Sequence, residues 1–429
     1  MQAGLSTKNA PSPNVILPYF SFGALSFLVA SIVLFIAAPD LTRHYYLSPR
    51  ILTLTHILIL GWITMIIFGA LYQLIPVVME VKLYSEKLAV ISFFLFAAGL
   101  ITLSTSFWTF SYGRNIGLEI GGYLIVISVI LFGINTLMSA AKTERKNIEN
   151  AFIITAVIWL LLTVTLGIVL VLNFAFNFIP NSDIELLKLH AHIGFIGWFL
   201  MLVIGVASKL MPMFLIVHKL PEKLLSYAYY LINGGLILLS IGYYYFPEKW
   251  FMLLSALPVL AGVIAFLRFN YVAFSKRIRK KLDVGMKLSA TAFILLAVSL
   301  VMGFAILIGP NFLGAMQTRF EIAYGILIVL GFLTALVLGQ TYKTLPFIIW
   351  LQKYQSKVGK IKVPLPHELY SEKVAVYHFY TFLIAIIVLI VGIVAGIVLI
   401  VKIGAVFMII TAALYNYNVF KIVFHKEKK

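Results

Sequence analysis

Runs of about 20 apolar residues, the length a helix needs to cross a bilayer, recur along the whole chain between short polar connections. Helices suit such runs because they satisfy every backbone hydrogen bond within the segment. The pattern predicts an all-α integral membrane protein with about twelve transmembrane helices and no separate soluble domain. The predicted spans are 15–38, 50–78, 88–107, 117–141, 151–176, 187–215, 224–245, 250–270, 286–309, 320–350, 374–400 and 403–423.

Composition supports a membrane protein. Hydrophobic residues make up 62% of the chain and charged residues 11%, against about 45–50% and about 25% in ordinary globular proteins. A soluble chain could not bury so much apolar surface. Cysteine is absent, which excludes disulfides, thiolate metal sites and cysteine-linked haem.

The net charge of +18 is unevenly distributed. With the N-terminus in the cytoplasm, 24 of the 33 Lys and Arg residues fall in cytoplasmic segments. This asymmetry predicts a multi-pass protein of the cell inner (plasma) membrane with both termini cytoplasmic. We expect contact with membrane lipid and no nucleic-acid binding. The basic residues on the outer side are Arg43, Arg50, Arg114, Lys188, Lys249, Arg319 and Lys402.

Three segments align without gaps: residues 56–76, 192–212 and 326–346. Gly, an aromatic residue, Gly and Pro recur in them at fixed offsets, with repeat lengths of 136 and 134 residues at the prolines. The pattern predicts one membrane domain, 1–429, built from three parallel four-helix repeats. Their approximate limits are 12–149, 150–283 and 284–429. We expect each proline to end the second helix of its repeat.

Three histidines, His56, His190 and His192, lie within apolar helices near their outer ends. A single histidine there would more often bond a backbone carbonyl. However, His56 and His192 occupy the same register, 20 residues before the proline. Two imidazoles at matching depth are what axial ligation of a haem iron requires. We therefore expect the second, sixth and tenth helices to line a common centre. The histidines assigned to the cytoplasmic side are His218, His367, His378 and His425.

His190 and His192 are two residues apart, which on a helix is a turn of about 200°. The two rings therefore point to nearly opposite sides and cannot bind one metal together. This makes His190 a candidate ligand of a second haem or metal. The third repeat has Tyr324 and Ile326 at these two positions.

The segment from His190 through Gly197 and Trp198 to Pro212 closely resembles the His-x-His helix of subunit I in haem–copper oxidases. The cytochrome cbb branch and the nitric oxide reductases are nearest. The resemblance implies a pseudo-threefold arrangement of twelve helices, and haem b held by His56 and His192. It also implies a high-spin haem on His190, a quinol or cytochrome c electron donor, and partner subunits in respiratory electron transport.

Two features depart from that family. Its His-x-His pair lies on the tenth helix, whereas here it lies on the sixth. The family binds copper through three further histidines, and no such triad is found in the sequence, so the ligands of the binuclear centre are degenerate. A copper ion remains an alternative to haem as the second cofactor.

Four arginines, Arg43, Arg50, Arg114 and Arg319, fall at outer helix ends near the depth of the expected haem. Each is a candidate partner for haem propionates, which are anionic. Plain anchoring at the membrane interface is an equally good interpretation of each.

These features predict a haem-b-binding membrane protein related to cytochrome c/quinol oxidase subunit I, acting in electron transfer or in handling O₂ or NO. One alternative is an active terminal oxidase or nitric oxide reductase subunit with an unusual metal centre. Another is a haem or copper transporter, or a metallochaperone-like membrane protein. The sequence leaves open whether the chain is an oxidoreductase. It assigns no catalytic residue.

Overall fold

The structure, a computed structural model, describes residues 9–43, 47–110, 114–144, 146–179, 183–245, 249–309 and 313–427. Twelve helices in these residues are long and apolar enough to cross a membrane, which confirms the predicted number. They are α1 Pro13–Ile36, α2 Pro49–Val78, α3 Glu86–Trp108, α4 Ile116–Ala140, α5 Ile148–Phe176, α6 Ile184–Leu215, α7 Lys223–Tyr243, α8 Trp250–Ser275, α9 Val284–Ile308, α10 Gln317–Lys357, α11 Glu372–Ala395 and α12 Val398–Val423.

The prediction that a proline ends each second helix was wrong. Pro76, Pro212 and Pro346 all lie inside α-helical segments. Helix α10 extends furthest, to Lys357, and its 41 residues make it about 60 Å long. A proline removes only one backbone hydrogen bond, and membrane helices tolerate it where neighbouring groups compensate.

The boundary between the last two helices also differs from the prediction. Helix α11 ends at Ala395 rather than near residue 400. Gly396 has a φ of 73°, a left-handed conformation that glycine adopts without a steric penalty. The N–H of Ile397 then bonds the carbonyl of Gly392 at 2.9 Å and closes the helix end. A glycine conformation therefore sets this turn, inside a continuous apolar run.

A π-helical segment occurs in the second helix of every repeat, at Ile57–Thr64 in α2, Ile193–Leu200 in α6 and Leu327–Leu333 in α10. Each begins one residue after the aligned position held by His56, His192 or Ile326. Such segments are rare and often lie at functional sites. The three second helices therefore share a backbone irregularity as well as a sequence pattern.

Two repeats share a hydrogen-bonded brace between the start of the third helix and the fourth helix. The side chain of Asn135 accepts from the N–H of Ser85 at 2.9 Å and donates to its carbonyl at 2.8 Å. Asn418 makes the same pair of bonds with Ser371, at 2.9 and 3.2 Å. The brace places Asn135 and Asn418 at equivalent positions in α4 and α12.

The second repeat has no such brace. Pro221 stands where the others have serine, and proline has no N–H to donate. The equivalent asparagine, Asn270, donates instead to the carbonyl of Phe266 in its own helix at 3.0 Å. Its buried Oδ1 makes no hydrogen bond within the described residues. The second repeat thus keeps the asparagine without its partner.

Contacts divide the chain into two compact units, and α2 belongs in part to each. In the unit formed mainly by Tyr72–Ser106 and Phe110–Lys281, α5 packs against α4 and α6, and α7 packs against α8. In the unit formed mainly by Ser12–Leu71 and Leu282–Lys429, α12 packs against α1 and α11, and α9 packs against α10.

Candidate functional site

The imidazoles of His56 and His192 are anchored in the same way. Nδ1 of His56 lies 2.8 Å from the carbonyl oxygen of Leu52, one turn earlier in its own helix. Nδ1 of His192 lies 2.7 Å from the carbonyl oxygen of Lys188, again four residues earlier. Each anchor lies just before a π-helical segment. The two repeats therefore share the side-chain arrangement as well as the register.

These anchors select one tautomer of each ring. A carbonyl oxygen only accepts a hydrogen bond, so Nδ1 of His56 and of His192 must carry the proton. Within the described part of the chain, Nε2 of neither ring makes a hydrogen bond. A metal-bound histidine commonly donates its other N–H to a backbone carbonyl, which fixes the ring orientation. Both residues thus fit the role of an axial ligand to haem iron.

Aromatic side chains lie beside both rings. The ring centroid of His56 is 4.6 Å from that of Phe107 at the end of α3. The ring centroid of His192 is 6.2 Å from that of Tyr243 at the end of α7. Each histidine therefore has an aromatic neighbour, and such a side chain can pack against the apolar face of a macrocycle.

His190 is held differently. Its Nδ1 lies 2.9 Å from the carbonyl oxygen of Thr163 in α5, and its ring rests on Gly167, where an added Cβ would lie 3.1 Å from Cε1. In the third repeat the ring of Tyr324 rests in the same way on Gly303 of α9, with Cε2 2.9 Å from an added Cβ. A glycine in the preceding helix makes room for a ring in both repeats.

The two histidines of the His-x-His pair contact different helices. His190 bonds α5, whereas His192 bonds its own helix and faces Tyr243 of α7. The helical spacing predicted this divergence. Because the two rings contact different helices, His190 stays a candidate ligand for a site separate from that of His192.

Three of the four candidate arginines already pair with carboxylates. Arg43 and Arg50 both reach Asp40, with nitrogen–oxygen distances of 3.6 and 3.3 Å. Arg114 makes two hydrogen bonds to Glu119, at 2.9 and 3.3 Å. This pairing raises the pKa of Arg114, chiefly through the hydrogen bond. An anion would have to compete with these carboxylates.

Arg319 is the exception among the four. No carboxylate within the described residues pairs with it, and its guanidinium donates to the carbonyl of Ala395 at 3.4 Å. It lies over Gly396, where an added Cβ would overlap the guanidinium. Its Nε is buried without a hydrogen-bond partner in the described residues. Arg319 is thus the arginine of the four best suited to bind an added anionic group.

Among the described residues, no group of three or more His, Cys, Asp or Glu side chains is close enough to hold a metal ion. His44, which the sequence places on the expected outer side, lies outside the described residues.

Sequence reasoning missed the surroundings of His378, which it assigned only to the cytoplasmic side. His378 lies in the second turn of α11 and is fully buried. Within the described residues neither ring nitrogen has a hydrogen-bond partner. Its ring centroid is 5.7 Å from that of Tyr342 and 6.0 Å from that of Tyr415. Extending the repeat alignment into the third helix would have flagged it, because Ser92 and Ala228 hold the same position.

Comparison with known proteins gives a likeness of fold. No protein-family model and no curated protein sequence matches the chain. Among solved structures, the chain is similar to a heme-copper terminal oxidase whose dimer was determined by cryo-EM. The TM-score is 0.68 at 13% sequence identity, covering 97% of this chain and 84% of that one. The chain therefore has the helical fold of that oxidase polypeptide.

Proposed function

We propose that this protein binds haem b through His56 and His192 as axial ligands, and that it transfers electrons or handles a diatomic gas. A haem with two histidine ligands supplies a one-electron redox centre. The protein's part is to orient the two imidazoles and to keep each in the tautomer whose Nε2 can bind iron.

The matched anchoring of the two rings carries this proposal. An isolated structural histidine needs only some hydrogen-bond partner. Here, two copies of a repeat place a histidine at one register, fix Nδ1 on the carbonyl four residues earlier, and leave Nε2 without a hydrogen bond in the described residues. The similarity to a heme-copper terminal oxidase supports the same assignment.

Arg319 is the proposed partner for a haem propionate. The guanidinium can make paired, charge-assisted hydrogen bonds with a carboxylate, and the other three candidates already make ion pairs. Phe107 and Tyr243 are proposed to pack against the macrocycle.

Difference spectra of the purified protein, reduced minus oxidised, test the proposal. We expect a six-coordinate low-spin haem b spectrum that His56→Ala and His192→Ala each abolish. His218→Ala and His425→Ala, at cytoplasmic positions, are the matched controls and should leave it intact. An unaltered spectrum in both the His56 and His192 variants would show that neither is an axial ligand.

A second candidate function is terminal oxidase or nitric oxide reductase activity with an unusual metal centre. The observation in its favour is His190, which is held against α5 away from the environment of His192. A second haem or a copper ion on His190 would supply a site with an open position for the gas. Cyanide-sensitive oxygen consumption with reduced quinol or cytochrome c, together with about one copper per chain, would establish it. We expect neither result from this chain alone.

We further propose that the protein lies in the plasma membrane with both termini in the cytoplasm, and that it works with partner subunits. The excess of Lys and Arg in the cytoplasmic segments supports this orientation. Reaction of a membrane-impermeant reagent with a cysteine introduced near residue 362 in intact cells would contradict it.

A further inference from the structure

One face of α8 is exposed, although the equivalent faces of α4 and α12 are covered. Leu257, Ile264 and Tyr271 are 46%, 54% and 64% exposed, and Arg268 is exposed as well. Their spacing of seven, four and three residues places all four along one side of the helix. We call these four residues the α8 face. Within its own unit, α8 packs against α7 and α6 and leaves this face uncovered.

The equivalent asparagines Asn135, Asn270 and Asn418 give the register for comparing the fourth helices. The positions that form the α8 face hold buried residues in both α4 and α12, with one of them 7% exposed and the others less or also buried. These residues are Gly122, Val129, Gly133 and Thr136 in α4, and Ala405, Ala412, Asn416 and Val419 in α12. The exposure is therefore specific to the second repeat.

A neighbouring helix covers these positions in the other two repeats. Helix α4 packs against α5, and a Cβ added at Gly133 would lie 3.5 Å from the side chain of Leu161. Helix α12 packs against α1, and the side-chain amide of Asn416 donates to the carbonyl of Ala24 at 2.8 Å. Small residues allow such close approach in a membrane. The α8 face has Leu, Ile, Arg and Tyr instead, which suit a packed helix poorly.

Positive charge is concentrated at the C-terminal end of the α8 face. Residues 268–281 contain six basic residues and no acidic residue. The guanidinium of Arg268 lies 5.3 Å from the ring centroid of Tyr271, one turn later. Four of the basic residues have no carboxylate partner among the described residues: Arg268, Lys276, Lys280 and Lys281. An added anion would therefore meet no competing carboxylate at these side chains.

We propose that the α8 face binds an anionic phospholipid. Arg268 binds the phosphate, the basic residues that follow α8 surround the headgroup, and an acyl chain lies along Ile264 and Leu257. Arg268 and Tyr271 lie within two turns of the end of α8, where such side chains reach the membrane interface. Eleven residues separate Leu257 from Arg268, about 16 Å along the helix. One hydrocarbon leaflet has a similar thickness, about 15 Å.

Charge and shape favour a lipid over a transmembrane helix at this face. A helix from a partner or from a second copy would cover the guanidinium of Arg268 and would have to supply a carboxylate at that depth, where acidic residues are rare. A phospholipid has its phosphate at the interface. Its flexible acyl chains can also fill the gaps between large side chains such as Leu257 and Ile264.

The absence of cysteine allows one position on this side of α8 to be labelled. Ala261→Cys, an exposed position between Leu257 and Ile264, carries a bimane fluorophore. The full-length protein is placed in phosphatidylcholine nanodiscs, and part of the lipid is replaced by phosphatidylglycerol or phosphatidylcholine with brominated acyl chains. Brominated chains quench a fluorophore that they contact. The ratio of the two quenching constants measures the preference of the site for anionic lipid.

We expect a preference for phosphatidylglycerol of about fivefold, the factor that one basic residue contributes near an anionic lipid surface. Arg268→Gln should reduce the preference nearly to one, and Arg268→Lys, which keeps the charge, should retain most of it. Arg268 is exposed, so both variants should fold. Lys142→Gln is the matched control and should change nothing, because Lys142 is an exposed lysine that lies over the ring of Tyr84 in the first repeat.

A second control places the label at Ile127→Cys on the exposed side of α4, the position equivalent to residue 262, where no preference is expected. Equal quenching by the two lipids at residue 261 would overturn the proposal. A preference that Arg268→Gln leaves unchanged would also overturn it, because general surface charge would then explain the result. A label that neither lipid quenches would show that a second copy or a partner helix covers the face, which contradicts a lipid site.

Discussion

The first and third repeats share a scaffold but differ in where they keep histidine. The first has His56 in the N-terminal part of its second helix and a serine, Ser92, in its third. The third has Ile326 and His378 at those positions. In the first repeat the hydroxyls of Ser92 and Ser128 bond each other at 2.9 Å and each bonds the other helix's carbonyl. In the third, the imidazole has no such partner within the described residues.

This contrast separates structural polar groups from functional candidates. A serine pair that satisfies its own hydrogen bonds contributes to helix association in the membrane. A buried imidazole without a partner costs free energy, and intramembrane ionisable groups are functional candidates for that reason. Both repeats keep the asparagine brace and the π-helical segment. These shared elements maintain the fold, whereas the position of the histidine differs between the two repeats.

The brace should show the largest effect on stability. Asn135→Ala and Asn418→Ala each remove two hydrogen bonds to the backbone of a serine, and we expect a loss of about 2–3 kcal/mol. Asn270→Ala in the second repeat removes one bond within its own helix and should cost about 1 kcal/mol. Thermal unfolding in detergent, followed by tryptophan fluorescence, measures all three. If all three variants lose the same stability, the two hydrogen bonds of the brace contribute no more than the single bond of Asn270.

The second largest loss of stability should come from a change in the turn between α11 and α12. Gly396→Ala places a Cβ at a φ of 73° and against the Arg319 guanidinium, and the left-handed conformation alone costs about 1–2 kcal/mol. We expect a lower unfolding temperature. Gly325→Ala, at a helical position with open space around the added Cβ, is the control. A neutral Gly396→Ala would show that the turn adjusts to the added side chain.

A smaller effect should appear when the brace is restored in the second repeat. Pro221→Ser supplies the missing N–H, but it also raises the conformational entropy of the unfolded chain. The single variant should therefore change the free energy of unfolding very little. The double-mutant cycle with Asn270→Ala isolates the new bond, and we expect a coupling of about 1 kcal/mol. Additive effects would place Asn270 out of reach of residue 221.

The smallest effect concerns the C-terminal tail, which contacts the C-terminal extension of α10. Tyr354 hydrogen-bonds His425 at 2.7 Å, and Lys357 pairs with Glu427. Partial burial, then Lys353, lowers the pKa of His425, and the hydrogen bond from Lys357 lowers that of Glu427. Both groups therefore bind protons more readily when the tail is released.

Docking of the tail should accordingly be complete above pH 6.5, the ordinary pKa of histidine. It should weaken as the pH falls through that value, and further where Glu427 is protonated. Hydrogen exchange of residues 424–427 measures this, with Tyr354→Phe and Lys357→Gln expected to reduce protection at neutral pH. A protection factor, taken relative to the intrinsic exchange rate at each pH, that rises on acidification would contradict this prediction.

Several elements were predictable because their cause is local. Twelve apolar runs specify twelve helices, and the common register of His56 and His192 follows from residue spacing. The opposite directions of His190 and His192 follow from helix geometry alone. The positions of Pro76, Pro212 and Pro346 were known, but their effect was misjudged because neighbouring helices decide whether a helix continues through a proline.

The sequence by itself determined the twelve apolar helices and the register that His56 and His192 share, since these depend on hydropathy and on spacing along the chain. Tertiary structure decided which groups those residues meet. It paired Arg50 with Asp40, left Arg319 without a carboxylate partner among the described residues, and surrounded His378 with tyrosines from α10 and α12. The reason is that a side chain's partners depend on helix rotation and packing, which bring together residues far apart in the chain.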